Sequence, residues 1–352
     1  MKLPLQDLAF ATATSAVFTS IRQINALAQG SGQHGLVGFN RKYATTGSYC
    51  DLETHTIHFM KKNILIVGSG DVGQRLLHQA RQHGQWFATT RRASSRSALR
   101  QLGATPILLD LDRPHILTKL QHMHWHSVIY LAPPPASGAR DTRLRHFLSA
   151  ILPSQASGLH FVYVSTTGVY GNCHGDWVSE SRPLRPQSAR AKRRVDAEQV
   201  LSRCARRHGW HLVILRAPGI YSAERLPVER VRSGIPAIQH EEDSYTNHIH
   251  ADDLARLCWA ATRSKKVSRA YNACDNSQLK MGEWFDQVAQ AYGLEKPPRL
   301  SRQEVQARVS PALWSFMRES RRLSNARLLR ELRVRLLWPT TQAFWECLRG
   351  GA

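Results

Sequence analysis

The stretch Lys62-Asn63-Ile64-Leu65-Ile66-Val67-Gly68-Ser69-Gly70-Asp71-Val72-Gly73-Gln74-Arg75-Leu76-Leu77 decides how this chain folds. Residues 63–67 are a short, continuous apolar run, the pattern of a parallel strand buried on both faces. Three glycines follow at once in the spacing G-x-G-x-x-G, and an amphipathic helix is predicted from Asp71 to about Gln82. Each glycine has its own physical task. Gly68 permits the tight turn out of the strand, and Gly70 lets the backbone approach a pyrophosphate. Gly73 brings helix and strand close together. Asp71 and Val72 open the helix, whose first amides and positive dipole end face the phosphates. Alone this spacing is a weak signal, but between such a strand and such a helix it predicts a dinucleotide site.

The chain repeats the strand pattern beyond it. Residues 86–90 predict a second strand running into Arg91 and Arg92. An NAD site wants a carboxylate near this point for the ribose 2′-hydroxyl, whereas arginine suits a 2′-phosphate. NADP is therefore the expected cofactor, with NAD the alternative. A third strand over residues 106–109 ends at Asp110-Leu111-Asp112, where a carboxylate can meet the adenine amino group. A fourth, residues 127–131, carries Leu131 into Ala132, Pro133 and two further prolines. Residues 160–164 and 212–215 supply a fifth and a sixth, with helical segments between. Strands alternating with helices over this length give the fold class: α/β, a Rossmann-type doubly wound parallel sheet. His122, His124 and His126 share a face of an extended segment, but with no carboxylate or cysteine nearby they read as a wet loop, and no metal site is expected.

The net charge is +22 over 352 residues, and the leader supplies little of it. The excess lies mainly in residues 182–216 and 299–335. Such a field attracts polyanions, a phosphate-rich small molecule or a nucleic acid, and a solvated arginine-rich surface has the same composition. The six cysteines, Cys50, Cys173, Cys204, Cys258, Cys274 and Cys347, show no paired spacing and read as free thiols of a reducing compartment, so a cytoplasmic location is expected. No apolar run is long enough to span a membrane. Residues 1–59 show no sustained period. Ala26-Leu27-Ala28 resembles a signal-peptide cleavage site, yet Asp7 and Arg22 interrupt the apolar region before it. Met60-Lys61-Lys62 reads as the natural chain start, and residues 1–59 as a disordered leader from a wrongly chosen start codon.

At the end of the fifth strand stands Val164-Ser165-Thr166-Thr167-Gly168-Val169-Tyr170-Gly171. With it, and with Pro186-Gln187-Ser188, Leu215-Arg216-Ala217-Pro218-Gly219-Ile220-Tyr221, residues 247–255 and Ala270-Tyr271-Asn272-Ala273, the sequence resembles the extended short-chain dehydrogenase/reductase superfamily, its NAD-dependent epimerase/dehydratase group. The bacterial YeeZ-like atypical members are similar also in a segment like Glu319-Ser320-Arg321-Arg322-Leu323-Ser324-Asn325. The similarity runs from Met60 to the C-terminus. It implies a Rossmann domain over residues 60–222 and a mainly α substrate lobe over 223–352, from which one strand and one helix return to the core. It places the catalytic Ser/Thr on Thr166, nicotinamide contacts on Pro218 and Ile220, and adenosine contacts on Asp110, Leu111 and Ala132. Members reduce, epimerise or dehydrate, often on nucleotide sugars.

One departure bears on mechanism. The family's Tyr-x-x-x-Lys pair falls on Arg190 and Arg194. A tyrosine and a lysine four residues apart share a helix face, so the ammonium can lower the phenol's pKa for proton transfer. A guanidinium stays protonated and cannot shuttle a proton near neutral pH. Tyr170 is the alternative phenol, or else a ring packed under the strand end. Three functions follow: an NAD(P)-dependent oxidoreductase or epimerase-like enzyme for a small anionic or nucleotide-sugar substrate, a dinucleotide sensor that has lost its chemistry, and, least favoured, a nucleic-acid binder.

Overall fold

The apolar run of residues 63–67 forms β1 (Asn63–Val67), with four of its five residues enclosed. The computed structural model describes residues 62–350 apart from 156, 266 and 267, so the predicted leader lies outside the described residues. Among them, β1 joins β2 (Gln85–Thr90), β3 (Ala104–Leu108), β4 (Ser127–Tyr130), β5 (His160–Thr166), β6 (His211–Ala217) and β7 (Ser268–Asn272) in one sheet of order 3-2-1-4-5-6-7. Every pairing is parallel. The strand order reverses between β1 and β4, and there the carboxyl ends of an open sheet leave a crevice.

Alternation along β1 builds two cores at once. Ile64 and Ile66 pack with Leu76, Leu77, Leu254 and Leu257 on one face. Leu65 and Val67 pack with Phe147, Leu148 and Leu201 on the other. Each such side chain contributes about 1.5–3 kcal/mol by leaving water. The helices follow these faces. α1 (Asp71–Ala80) and α2 (Ser95–Gln101) bury residues in the first core, α3 (Thr142–Ile151) and α4 (Ala189–His208) in the second, and α5 (Ala251–Ala261) returns to the first. Residues Lys61–Phe344 form one compact unit. No helix among the described residues is long and apolar enough to cross a membrane.

Two local features depart from the sequence pattern. α4 runs for twenty residues to His208, because Ala197, Leu201 and Ala205 keep a buried stripe at helical spacing. Ser188 caps its start by accepting the Ala191 amide at 3.2 Å, and Gly209, at φ +64°, ends it. Between β3 and β4 the crossover is a 3₁₀ turn, Pro114–Leu120, with its proline at the start, where a missing N–H costs nothing. At the sheet's amino edge His160 stacks on His211 at 4.6 Å and lies beside His126 at 5.6 Å.

Candidate active site

Because all strands are parallel, their carboxyl ends form one row: Asp110 past β3, Arg91 past β2, Gly68 past β1, Leu131 past β4, Thr166 ending β5 and Pro218 past β6. The glycine loop occupies the centre of this row. Gly68 sits at φ +94°, and a Cβ there would stand 2.8 Å from the Ala132 amide nitrogen, so the loops after β1 and β4 touch at this point. A Cβ on Gly73 would meet the Gly68 carbonyl oxygen at 3.2 Å, Ile66 at 3.3 Å and Leu131 at 3.4 Å. Gly70 differs: nothing lies within 4 Å of its missing Cβ. Its open face adjoins the first turn of α1, whose amides are free of intrahelical partners, and this cradle fits a pyrophosphate. The loop is held from below, with the Gly68 amide donating to Thr89 Oγ1 at 3.0 Å and Ser69 Oγ donating to the Thr89 carbonyl at 2.7 Å. Val72 is buried beneath it.

Asp71 performs a different task. Its carboxylate accepts from Arg75 Nε at 2.6 Å and Arg225 Nη1 at 3.1 Å, while Arg75 also reaches Asp252 at 2.9 Å and Glu224 at 2.8 Å. Burial pushes the Asp71 carboxyl up, but these two arginines outweigh it and hold the group below its usual range. Asp71 therefore anchors the loop to the segment after β6. Asp71 and Arg75 stand four residues apart on one helix face, whereas the other partners come from far along the chain.

Past β2, Arg91 and Arg92 are exposed, and neither guanidinium makes a hydrogen bond among the described residues. Asp110 Oδ1 accepts the Asp112 amide at 3.0 Å. Leu111 is buried, with its carbonyl 3.0 Å from His146 Nδ1. Asp112 holds Arg143 through two bonds of 2.8 and 2.6 Å, and Arg143 donates onward to the Pro133 and Pro134 carbonyls at 3.2 and 3.3 Å. Sequence reading missed Arg143, whose partners come from two different loops.

The other end of the row is formed by α4 against β4 and β5. Arg194 Nη1 donates to Tyr163 Oη at 2.8 Å and to the Ala132 carbonyl at 3.4 Å, and its Nε and Nη2 carry no hydrogen bond among the described residues. Its buried neighbour Arg193 holds the loop after the prolines, donating to the Gly138 and Ala136 carbonyls at 2.8 and 3.1 Å. Thr166 stands half-buried at the end of β5, its Oγ1 accepting the Gly168 amide at 3.3 Å. Arg190, one turn before Arg194, stacks 4.3 Å over Phe316. Burial and the charge of Arg194 lower its pKa. Pro218 and Ile220 are half-buried, with Ile220 registered opposite Ile249.

Tyr170 corrects one expectation. It is 1% exposed, donates to Asn272 Oδ1 at 2.7 Å and accepts from Arg216 Nη1 at 2.8 Å. Burial pushes its phenol up to about 12, and its enclosure and two hydrogen bonds match the packed-ring reading rather than a phenol open to substrate. It belongs to a buried network that the sequence did not reveal. Arg216 grips both oxygens of Glu198, at 3.2 and 2.8 Å, and Ser165 Oγ donates to Glu198 Oε1 at 2.6 Å. The network joins α4, β5, β6 and β7 directly behind Thr166.

Comparison with known proteins agrees with this fold. Residues 64–274 match the NAD dependent epimerase/dehydratase family. Human dTDP-D-glucose 4,6-dehydratase is 22% identical over 138 residues, a match covering 37% of this chain and 39% of that protein. A functionally unknown conserved protein from Silicibacter pomeroyi superposes with a TM-score of 0.68 at 28% identity, covering 83% of this chain and 99% of its own. The dTDP-glucose 4,6-dehydratase DesIV of Streptomyces venezuelae, a double mutant with NAD and DAU bound, shares the fold at a TM-score of 0.64 and 16% identity, covering 82% and 96%.

Proposed function

Since this chain belongs to the NAD-dependent epimerase/dehydratase family, we propose that it is an NADP-using oxidoreductase or epimerase/dehydratase-like enzyme of the cytoplasm, acting on a small anionic substrate of the nucleotide-sugar kind. The observation that carries this reading is the open cradle at Gly70, flanked by tightly fitted Gly68 and Gly73, with the Ala132 loop against Gly68 and Arg194 donating to the Ala132 carbonyl. Gly68, Gly70, Gly73, Leu131, Ala132 and Pro133 would hold the dinucleotide, with Arg91 and Arg92 on its 2′-phosphate. When bound, the nicotinamide ring supplies hydride exchange. Thr166 would hydrogen-bond the substrate oxygen, and Arg194 the nicotinamide ribose. Arg190 and the free donors of Arg194 would stabilise negative charge on the substrate. Neither guanidinium accepts a proton near neutral pH, so a water or a substrate group takes that part. We assign the substrate lobe to residues 223–352.

NADPH is predicted to bind more tightly than NADH by roughly tenfold or more, the effect of one charge-assisted contact. Fluorescence titration of both, with wild type and with the Arg91→Ala, Arg92→Ala double variant, tests this. Equal wild-type affinities would remove the assignment of the two arginines. A second reading, a dinucleotide sensor without turnover, is favoured by the enclosed Tyr170 and by arginine at both positions of the usual pair. Turnover separates the two: NADPH consumption with a panel of nucleotide-sugar ketones reports a reductase, and altered nucleotide-sugar products formed with the oxidised dinucleotide report an epimerase or dehydratase, whereas a sensor gives neither.

A further inference from the structure

In the C-terminal lobe the segment 321–323 is extended, so neighbouring arginines face opposite ways. Arg321 donates to the Gly171 carbonyl and pairs with Glu319 at 2.9 Å. Arg322 turns to the other side, where its guanidinium lies 5.3 Å from the ring centre of Trp177 and 4.9 Å from that of Tyr245. Its Nε donates to the Gly175 carbonyl at 2.7 Å. Nη1 and Nη2 have no hydrogen-bond partner among the described residues, and Arg322 has no carboxylate within ion-pair distance there. A cation fixed in this way, with its donor pair unused, is a receptor for a planar anion.

Arg322 lines a cavity of about 190 Å³. Trp177, 50% exposed, contributes an aromatic wall. The remaining lining is almost wholly hydrogen-bonding: Asn247, Asn276, Ser277 and Gln278 among others, with Leu323 its single aliphatic side chain. Asp275, 3% exposed, lies at its edge with Oδ1 accepting the Ser277 amide at 2.9 Å. Burial pushes its carboxyl up to about 7, which weakens its competition for Arg322. The cavity is rigidly built. Asn247 donates to the Arg321 carbonyl and accepts the Leu323 amide, both at 2.9 Å, and Asn325 donates to Asn276 at 2.8 Å.

We propose that this cavity is a second binding site, separate from the dinucleotide crevice, for a small polyhydroxylated carboxylate, a single-ring sugar acid. The carboxylate meets Arg322, the ring lies against Trp177, and the hydroxyls meet the amide and hydroxyl side chains. The volume admits one ring and is below the range of a dinucleotide pocket. Arg321 and Asn247 connect its wall to Gly171, at the end of the turn that follows Thr166, so occupancy can be felt in the crevice without sharing it.

The test is calorimetric titration of the full chain, saturated with NADPH, using glucuronate as the probe and glucose as the uncharged control. Glucuronate is expected to bind in the millimolar range and glucose at least about tenfold more weakly, the effect of a charged hydrogen-bonded partner. Arg322→Gln and Trp177→Ala should each weaken glucuronate, while Arg190→Gln leaves it unchanged. Trp177 is half exposed, so its variant keeps the test valid if Arg322→Gln disturbs the fold. The proposal is overturned by no heat at tens of millimolar glucuronate, by equal binding of the two sugars, or by a loss in Arg190→Gln that matches the other two, which would put the ligand in the crevice.

Discussion

Gly70 and Gly68 stand two residues apart and predict opposite outcomes when a side chain is added. A Cβ on Gly70 meets no protein atom, so Gly70→Val should leave the melting temperature within about a degree of wild type while abolishing dinucleotide binding, because the methyls enter the pyrophosphate's space. Gly68→Ala should lower stability by about 1–3 kcal/mol, from the positive φ and the 2.8 Å approach to Ala132. Thermal melts with and without NADPH check both, and a stable Gly68→Ala protein would contradict the loop geometry. The same scale holds the arginine pair. Arg190→Tyr with Arg194→Lys is expected to retain NADPH but weaken an anionic substrate by at least about tenfold. Unchanged substrate affinity would reduce the pair to surface charge. These positions were legible in the sequence because a glycine spacing or an i,i+4 pair is local. Tyr170 was not, since its fate depends on Asn272 and Arg216, residues 102 and 46 positions away.

Among the elements, α4 carries the most chemistry for its length. One face presents Arg190 and Arg194, Arg193 fastens the Ala136–Gly138 loop, and Glu198 enters the network under β5 and β6. Glu198→Leu should destabilise the chain by about 3–5 kcal/mol, because Arg216 is then buried without its partner. Glu198→Leu with Arg216→Met should recover part of that loss. Urea unfolding of the single and double variants measures it, and a double variant no better than the single one would mean that the pair is not energetically coupled. The helix's start was readable from Ser188 and its arginines from their spacing. Its true length was not, because the stripe that extends it is mostly alanine, too weakly apolar to stand out among so many charges.

For the whole molecule, the parallel sheet and its crevice were legible because each strand is a separate apolar run, while the lobe after β6 is made of short strands and helices whose partners lie far along the chain. The lobe and the sheet's amino edge also bury titratable groups. Burial lowers His248 to about 3 and His250 to about 4, and His160 falls to about 4 from burial and its histidine neighbours. These rings are neutral when folded and take up protons on unfolding below about pH 6.5. Their stabilisation is complete above that pH and is lost as pH falls toward 4, by up to about 1.4 kcal/mol per unit for each ring. Asp275, raised to about 7, opposes them in the same window, gaining stability as it protonates. Burial also raises Asp141, Asp243 and Asp253, but His126 is lowered like the three rings, and Asp71, Asp112 and Glu224, held low by arginines, lose stability in acid too, so a net decline is predicted and His248→Leu should flatten it. Unfolding free energies at several pH values between 7 and 4.5 decide the matter, and a rise toward acid would show that the carboxyl dominates.

The Arg75 hub has a consequence for how this chain can change over generations. A single guanidinium is shared by Asp71 in its own helix, Glu224 after β6 and Asp252 at the start of α5. Any one of the three acids can drift to a neutral residue while the arginine keeps two partners, so each loss is gentle and reversible by its neighbours. Losing the arginine instead leaves three carboxylates close together, with Arg225 beside Asp71 and the neutral ring of His250 beside Asp252 as what remains among the described residues to offset them. Substitutions at this junction should therefore accumulate in the acids, in any order, and reach Arg75 only after most of its partners have gone.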